Sequence, residues 1–276
     1  MPELPEVETI ALQLRAQVEG GTVLACRLLT PTMVRHPEPG AFVRGLTGRR
    51  IEAVTRRGKY LLHALSGGEG KLLVVHLGMT GSWTCVSPEA PEPEHLHLVL
   101  ELDRGRQLRF RDVRRFGRLL LGREADLIGA GKLPLLGPEP LDPAFTPEVL
   151  HRRLRGRRAP VKALLLDQRL VAGLGNIYAD EACFRAGLRP DRPGGSLGRR
   201  SVARLHGALR EVLREAIANR GSSVDDYRDA LGEPGRQQER LLVYGRAGCP
   251  CVRCGRRLTA IRLAGRSTVF CPRCQR

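Results

Sequence analysis

The chain predicts a multidomain α+β protein, and three features of its amino-acid pattern carry that prediction. Residues 3–19 repeat apolar side chains at helical spacing, and about a hundred residues of short, alternating β-like runs follow. A Gly- and Pro-rich stretch then gives way to apolar stripes of helical period. Finally, five of the eight cysteines crowd into the tail from Cys249 onward. The reading is a β-sandwich or barrel with the first helix packed on it, a second helical domain, and a small cysteine-rich hairpin.

In order, Val7, Ile10, Leu14 and Val18 make one face of the first helix, and Gly20-Gly21 ends it. Strands are predicted at 23–29, 51–55, 60–65, 72–77, 96–102, 107–110 and 119–121, with Leu96, Leu98, Leu100 and Leu102 in strict alternation. Residues 129–147 read as a linker, with Pro134, Pro138, Pro140 and Pro143 close together. Helices follow at 148–155, 161–166 and 177–186. A longer one carries the stripe Val202, Leu205, Leu209, Val212, Leu213, Ala216 and Ile217. Gly173 and Gly175 suit a tight turn delivering Asn176 to a helix start. The polar segment 221–238 lacks periodicity and is expected to be a mobile loop. Domains are placed at 1–130, 131–240 and 241–276.

The formal charge of +17, from 46 Lys and Arg against 29 Asp and Glu, points to a polyanionic partner. No apolar run of membrane length and no lipidation or secretory signal is visible, which excludes a membrane partner and places the chain in the cytoplasm. Cys251-x2-Cys254 and Cys271-x2-Cys274, 16 residues apart, have the spacing of a four-cysteine zinc site. Four thiolates leave a tetrahedral ion no open position, so one structural zinc is expected. Its ligands flank a hairpin made by 258–263 and 267–270 and turning at Ala264, Gly265 and Arg266. Cys249 has the less usual spacing, and Cys26, Cys85 and Cys183 read as ordinary buried thiols.

The opening Met1-Pro2-Glu3-Leu4-Pro5-Glu6 sets two prolines and two carboxylates ahead of the helix. Proline and acids suit a first helical turn on structural grounds alone. Yet removal of Met1 would leave Pro2 as a secondary amine of pKa about 7.7 to 8.0, close to a competent nucleophile at neutral pH. Basic runs lie at 56–59, 111–117 and 152–158. In Arg114-Arg115-Phe116-Gly117 an aromatic beside arginines can enter a base stack while guanidinium groups hold phosphate, and Met79 sits at a glycine-flanked turn.

Together these stretches resemble the bacterial formamidopyrimidine-DNA glycosylase family, also called 8-oxoguanine DNA glycosylase/AP lyase. The match runs from the Pro-Glu-Leu-Pro-Glu-Val-Glu start through Arg57-Gly58-Lys59-Tyr60, His76 to Gly81, Arg114 to Gly117, Ala172 to Tyr178 and Val243 to Arg246, to the terminal cysteine hairpin. The resemblance implies an N-terminal β-sandwich, a helix-two-turn-helix domain and a zinc finger, in a bacterial monomer that is nucleoid-associated when bound to damaged double-stranded DNA. It implies base excision repair of oxidised purines, with Pro2 as Schiff-base nucleophile and strand cleavage by β,δ-elimination. Glu3 would be a proton donor, as would Lys59 for β-elimination and Arg266 for δ-elimination, the last two also touching phosphate. Glu6, His76, Met79, His95, Arg114, Arg115, Phe116, Arg157, Asn176 and Tyr244 would contact substrate or DNA. Two departures concern the segment expected to close over an extruded base. It starts Gly221-Ser222-Ser223 rather than Gly-Thr-Thr, and Arg236-Gln237 replaces Phe-Gln. A sister branch acting on oxidised pyrimidines opens Pro-Glu-Gly-Pro-Glu, so Leu4 favours the purine branch. A non-catalytic DNA-binding protein would use the basic loops and hairpin without the amine.

Overall fold

The computed structural model describes every residue except Glu69 and Asp225. Its contacts divide the chain into two compact units, one of Met1–Leu135 with Asn219–Arg236 and the other of Leu136–Ala218 with Gln237–Arg276.

The first unit begins with helix α1 (Leu4–Val18), which has Glu3 at its N-cap and Pro5 in its first turn, where no intrahelical N–H is lost. Leu4, Val7, Ile10, Leu14 and Val18 are wholly buried. Each such side chain gives about 1.5–3 kcal/mol relative to exposure. Arg56 Nε donates to Glu8 Oε2 at 2.6 Å, fixing the outer side of α1 to the sheet beside it. Then come β1 (Val23–Leu28), β2 (Val34–His36), α2 (Pro39–Leu46), β3 (Ile51–Arg57), β4 (Tyr60–Leu65), β5 (Lys71–His76), β6 (Gly81–Val86), β7 (Leu96–Leu102), β8 (Arg106–Asp112), β9 (Arg118–Arg123) and α3 (Glu124–Gly129).

The strands make two sheets, ordered β1-β7-β8-β6 and β2-β9-β5-β4-β3, and among the described residues only the β2/β9 pair is parallel. Their facing side chains, among them Val54, Leu61, Leu73, Val75 and Leu119 from one sheet and Trp83, Leu98, Leu100, Leu108 and Phe110 from the other, share a core with α1. This is the sandwich the alternation predicted. Trp83 Nε1 donates to His63 Nε2 at 3.1 Å within that core. The neighbouring apolar packing pushes the His63 pKa down to about 4, because burial disfavours its charged form.

Several elements were not legible. Strand β6 follows the Met79 turn directly and mixes Ser, Thr and Gly with Trp83 and Cys85, so its buried alternation is visible only once β8 pairs with it. Strand β2 and helices α2 and α3 are too short to show a period. Strand β7 departs from the alternation, because His97 and Val99 on its second face are buried as well. Cys26 is only half-buried, on the edge strand β1.

The polar segment expected to be mobile has no regular element up to Arg236 among the described residues, and hydrogen bonds tie it to α1. Ser222 N–H donates to Glu6 Oε1 at 2.8 Å, and Tyr227 Oη to the Glu6 carbonyl. Gln13 bridges to the Asp229 carboxylate and to Ala230 N–H, and Asp229 is wholly buried. Apolar periodicity misses such a segment because it puts only Tyr227 and Ala230 into the core and is otherwise anchored by hydrogen bonds.

In the second unit α4 (Pro147–Leu154) is capped by Thr146 Oγ1, which accepts from Val149 N–H at 3.4 Å. Helix α5 (Val161–Leu166) and α6 (Asn176–Ala186) follow, and Gly187 ends α6 at φ +68° while Leu188 N–H returns to the Cys183 carbonyl. Helix α7 (Arg199–Ala218) buries its predicted stripe except for Ile217, which is only half-buried, and adds Ala208 to it. Strands β10 (Thr259–Leu263) and β11 (Arg266–Phe270) form the terminal hairpin. Its turn is the pair Ala264 and Gly265, both at positive φ, so Arg266 belongs to β11 and pairs with Leu263. No helix among the described residues is long and apolar enough to cross a membrane.

Candidate functional site

The beginning of the chain is not a loose end. Met1 is exposed, but Pro2 is buried and Glu3 and Glu6 are 2% and 1% exposed. Glu6 holds the turn from both sides, since Oε2 accepts from Glu3 N–H at 2.8 Å and Oε1 accepts from Ser222 N–H. Gly221 makes the approach feasible. It lies at φ +78°, and a Cβ there would meet Glu6 Cγ at 2.8 Å. Lys59 occupies the two-residue turn between β3 and β4, with Gly58 at φ +57° in the first turn position. A lysine at a hairpin tip normally reaches solvent, but this one is 7% exposed. Its charge is felt by His76, whose pKa falls to about 4, through burial first and then through Lys59 and Arg118. The His76 ring lies 4.8 Å from Tyr60, and its Nδ1 accepts from Gly78 N–H at 3.2 Å.

Two loops of the same unit bring Met79 and residues 113–117 together. Gly78, at φ +66°, packs so closely on the other loop that a Cβ would lie 2.6 Å from Gly117 N and Phe116 C. Phe116 is half exposed and Met79 partly so. The Arg114 guanidinium lies over the Phe116 ring at 4.8 Å. Arg115 is exposed at φ +55°, as is His95 at φ +60°. The wholly buried Asp112 carboxylate underlies this platform, and sequence reasoning gave it no role. The only hint was a single acid among arginines.

In the second unit Asn176 opens α6, and its Nδ2 donates to the Ser267 carbonyl at 3.1 Å, beside exposed Arg266. Buried Lys162 fixes the same turn, donating to Ser267 O at 2.9 Å and Thr268 Oγ1 at 2.7 Å. Its ammonium also lies 2.6 Å from Asp180 Oδ1, a buried ion pair. Burial pushes the Asp180 carboxyl up to about 6 in spite of that lysine. This pair also escaped sequence reasoning, because the two residues lie on different helices, 18 positions apart, and nothing local links them. Tyr244 is partly exposed, and its N–H joins those of Leu242 and Val243 in donating to the buried Glu181 carboxylate. Arg157 lines a cleft of about 460 Å³ with Arg152, Arg153, Arg155 and Arg169.

The Sγ atoms of Cys251, Cys254, Cys271 and Cys274 all lie within 4.8 Å of one another. Two of the pairs are 3.9 and 3.6 Å apart. A tetrahedral ion with bonds of about 2.3 Å to sulfur would separate its ligands by about 3.8 Å, so the four residues fit one structural zinc. Arg253 and Cys274 N–H each donate to a ligand sulfur at 3.4 Å, the kind of support that orients thiolates. Cys249 is exposed and outside the cluster.

A two-sheet unit with a buried, acid-flanked start and a helical unit ending in a four-cysteine finger define the class. Three family models match successive stretches. They are the formamidopyrimidine-DNA glycosylase N-terminal domain over residues 1–119, its H2TH domain over 136–228, and the zinc finger found in FPG and IleRS over 248–276. A formamidopyrimidine-DNA glycosylase of Chloroflexus aurantiacus is 49% identical, covering 100% of this chain and 98% of the relative. One of Moorella thermoacetica is 52% identical over 95% of each. Among solved structures, the MutM (Fpg) protein of Thermus thermophilus is 48% identical with a TM-score of 0.88, covering 99% of this chain and 98% of that one. Wild-type Lactococcus lactis Fpg in complex with a DNA containing N7-benzyl-Fapy-dG is 37% identical over 100% of both chains, with a TM-score of 0.90. The chain therefore belongs to the formamidopyrimidine-DNA glycosylase family, DNA-repair glycosylases with a zinc finger.

Proposed function

We propose that this protein is a bifunctional glycosylase and AP lyase of base excision repair. Its substrates are 8-oxoguanine and formamidopyrimidines in duplex DNA. The observation that carries the reading is the buried Pro2, one peptide bond from the terminus and followed by buried Glu3. Hydrolysis of the Met1–Pro2 bond frees the secondary amine. Its lone pair attacks C1′ as the bond from C1′ to the damaged base breaks. The amine proton is lost, the bond from C1′ to O4′ opens, and Glu3 supplies the proton that O4′ takes. A secondary amine leaves a cationic iminium with no further protonation, an electron sink for strand cleavage. Loss of a C2′ proton expels the 3′ phosphate, and loss of a C4′ proton then expels the 5′ phosphate.

Lys59 and Arg266 serve the two eliminations as proton donors and phosphate contacts, and Glu6 holds the turn bearing Glu3. His76, His95, Arg157, Asn176 and Tyr244 contact the DNA, and phosphate contacts of this kind position the strand without reading sequence. Met79, Arg114, Arg115 and Phe116 fill the space left by the extruded nucleotide, as chemistry on a base in a duplex requires. The working division is 1–130 for catalysis, 131–240 for the helical DNA-binding part and 241–276 for the finger. The protein acts as a cytoplasmic monomer, nucleoid-associated when bound to DNA.

The test is borohydride trapping on duplex DNA with 8-oxoguanine opposite cytosine, using protein whose terminus is verified by mass spectrometry. Protein beginning at Pro2 is expected to give a covalent adduct, and protein retaining Met1 none. Absence of an adduct from the processed protein would refute the amine mechanism.

A further inference from the structure

We infer that Asp112 is a positioning residue that locks the Met79 turn and the loop 113–117 into a single wedge. The inference rests on the proposed role of Met79, Arg114 and Phe116 in filling the gap left by an extruded nucleotide.

Asp112 ends β8, is wholly buried, and touches both loops through its carboxylate. Oδ1 accepts from Thr80 Oγ1 at 2.5 Å, on the Met79 turn, and from Arg114 N–H at 3.3 Å. Oδ2 accepts from Gly117 N–H at 2.7 Å, at the far end of the second loop. Thr80 Oγ1 in turn accepts from Arg114 N–H at 3.1 Å, so the hydroxyl and the carboxylate close a small network across the two loops. The carboxylate thus spans the base of the loop that lifts Phe116 to solvent. It also holds a backbone that would otherwise relax, since Arg115 sits at φ +55°, where a residue with a Cβ is strained.

The main chain of Asp112 is fixed independently. Its carbonyl accepts from Arg115 N–H and from the buried His97 Nε2 at 2.8 Å. A carbonyl only accepts, so Nε2 carries a proton, and the other ring nitrogen, Nδ1, lies within hydrogen-bond distance of Thr30 Oγ1 at 2.9 Å. Strand, imidazole and carboxylate therefore form a fixed base. The tight approach of Gly78 to Phe116 and Gly117 leaves the two loops no slack to move separately.

The test compares Asp112→Asn, Thr80→Val and Phe116→Ala as full-length, zinc-loaded, Met1-processed protein, with folding checked by thermal melting. Asparagine has the same shape but only one accepting oxygen: with its NH2 toward Gly117 N–H two donors face each other, and with its NH2 toward Thr80 and Arg114 the hydroxyl must turn to accept and Arg114 N–H loses the carboxylate, so a contact is lost whichever way the amide lies. Two readouts are taken. One is kcat/KM for 8-oxoguanine excision from duplex, with 2-aminopurine beside the orphaned base reporting loss of stacking. The other is borohydride trapping on a single-stranded preformed abasic site, which needs the amine but no wedge.

We expect Asp112→Asn to lose tenfold or more in duplex excision and most of the 2-aminopurine signal, with trapping within twofold of wild type. Thr80→Val should lose less and be non-additive with it. If Phe116→Ala is impaired on duplex while Asp112→Asn matches wild type, the inference is overturned and the wedge reading stands. If Phe116→Ala itself excises and perturbs 2-aminopurine like wild type, the wedge reading fails and the inference with it. An equal loss of trapping in Asp112→Asn would reduce Asp112 to a general structural role and also overturn it.

Discussion

The buried contact between His63 and Trp83 should make the stability of the β-sandwich depend on pH in a way one substitution removes. Trp83 Nε1 donates to His63 Nε2, so the ring must be neutral. Its Nδ1 faces the backbone of Leu73 without completing a hydrogen bond of good geometry. The folded pKa is about 4 against an ordinary value of 6.5. The shift is downward, so between these values the unfolded chain binds a proton that the folded chain does not. The stability is thus present above pH 6.5 and lost as pH falls toward 4. At about 1.36 kcal/mol per unit, the 2.5-unit gap amounts to roughly 3 kcal/mol, most of it gone by pH 4.5. His63→Leu removes this proton linkage. At pH 7 it instead costs about 1–3 kcal/mol, for a buried indole N–H with no acceptor. The wild-type and variant stabilities should therefore converge between about pH 6 and 4. Trp83 is the only tryptophan, so urea unfolding followed by its fluorescence reports this unit directly. His76 and the carboxylates titrate in both proteins, and the difference between them isolates His63. An equally steep acid loss in His63→Leu would refute the reasoning.

Two further outcomes concern the second unit. Zinc removal by a chelator should unfold the hairpin of β10 and β11 and weaken DNA binding, because metal binding supplies folding energy to an element this small. Unchanged affinity after metal analysis confirms zinc loss would contradict this. Lys162→Met should cost about 3–5 kcal/mol, the usual effect of leaving a buried charge without its partner. It should also loosen the Ser267 turn, raising hydrogen exchange at Arg266 and Ser267, and unchanged exchange there would count against the turn being held by this lysine.

The sequence was most legible where one kind of force acts locally. Period 3.6 located α1 and α7, alternation located β4 and β7, and cysteine spacing located the metal cluster without any knowledge of the fold. It failed where an element depends on partners distant in the chain. Strand β6 is half polar and is defined by its pairing with β8, and the segment after Gly221 looks free because its anchors, Glu6 and Gln13, lie on α1.

The same division runs through the site. By itself the sequence determined which chemistry is available: a proline one residue from the start, acids beside it, an aromatic among arginines, and two pairs of cysteines. These are covalent and compositional facts, and no folding is needed to read them. Only the tertiary structure decided that Pro2 and Glu3 are buried, that Lys59 is withdrawn from solvent, and that one carboxylate at Asp112 joins two loops. Burial and hydrogen-bond partners are properties of what surrounds a residue, and here the surroundings come from strands and loops tens or hundreds of positions away.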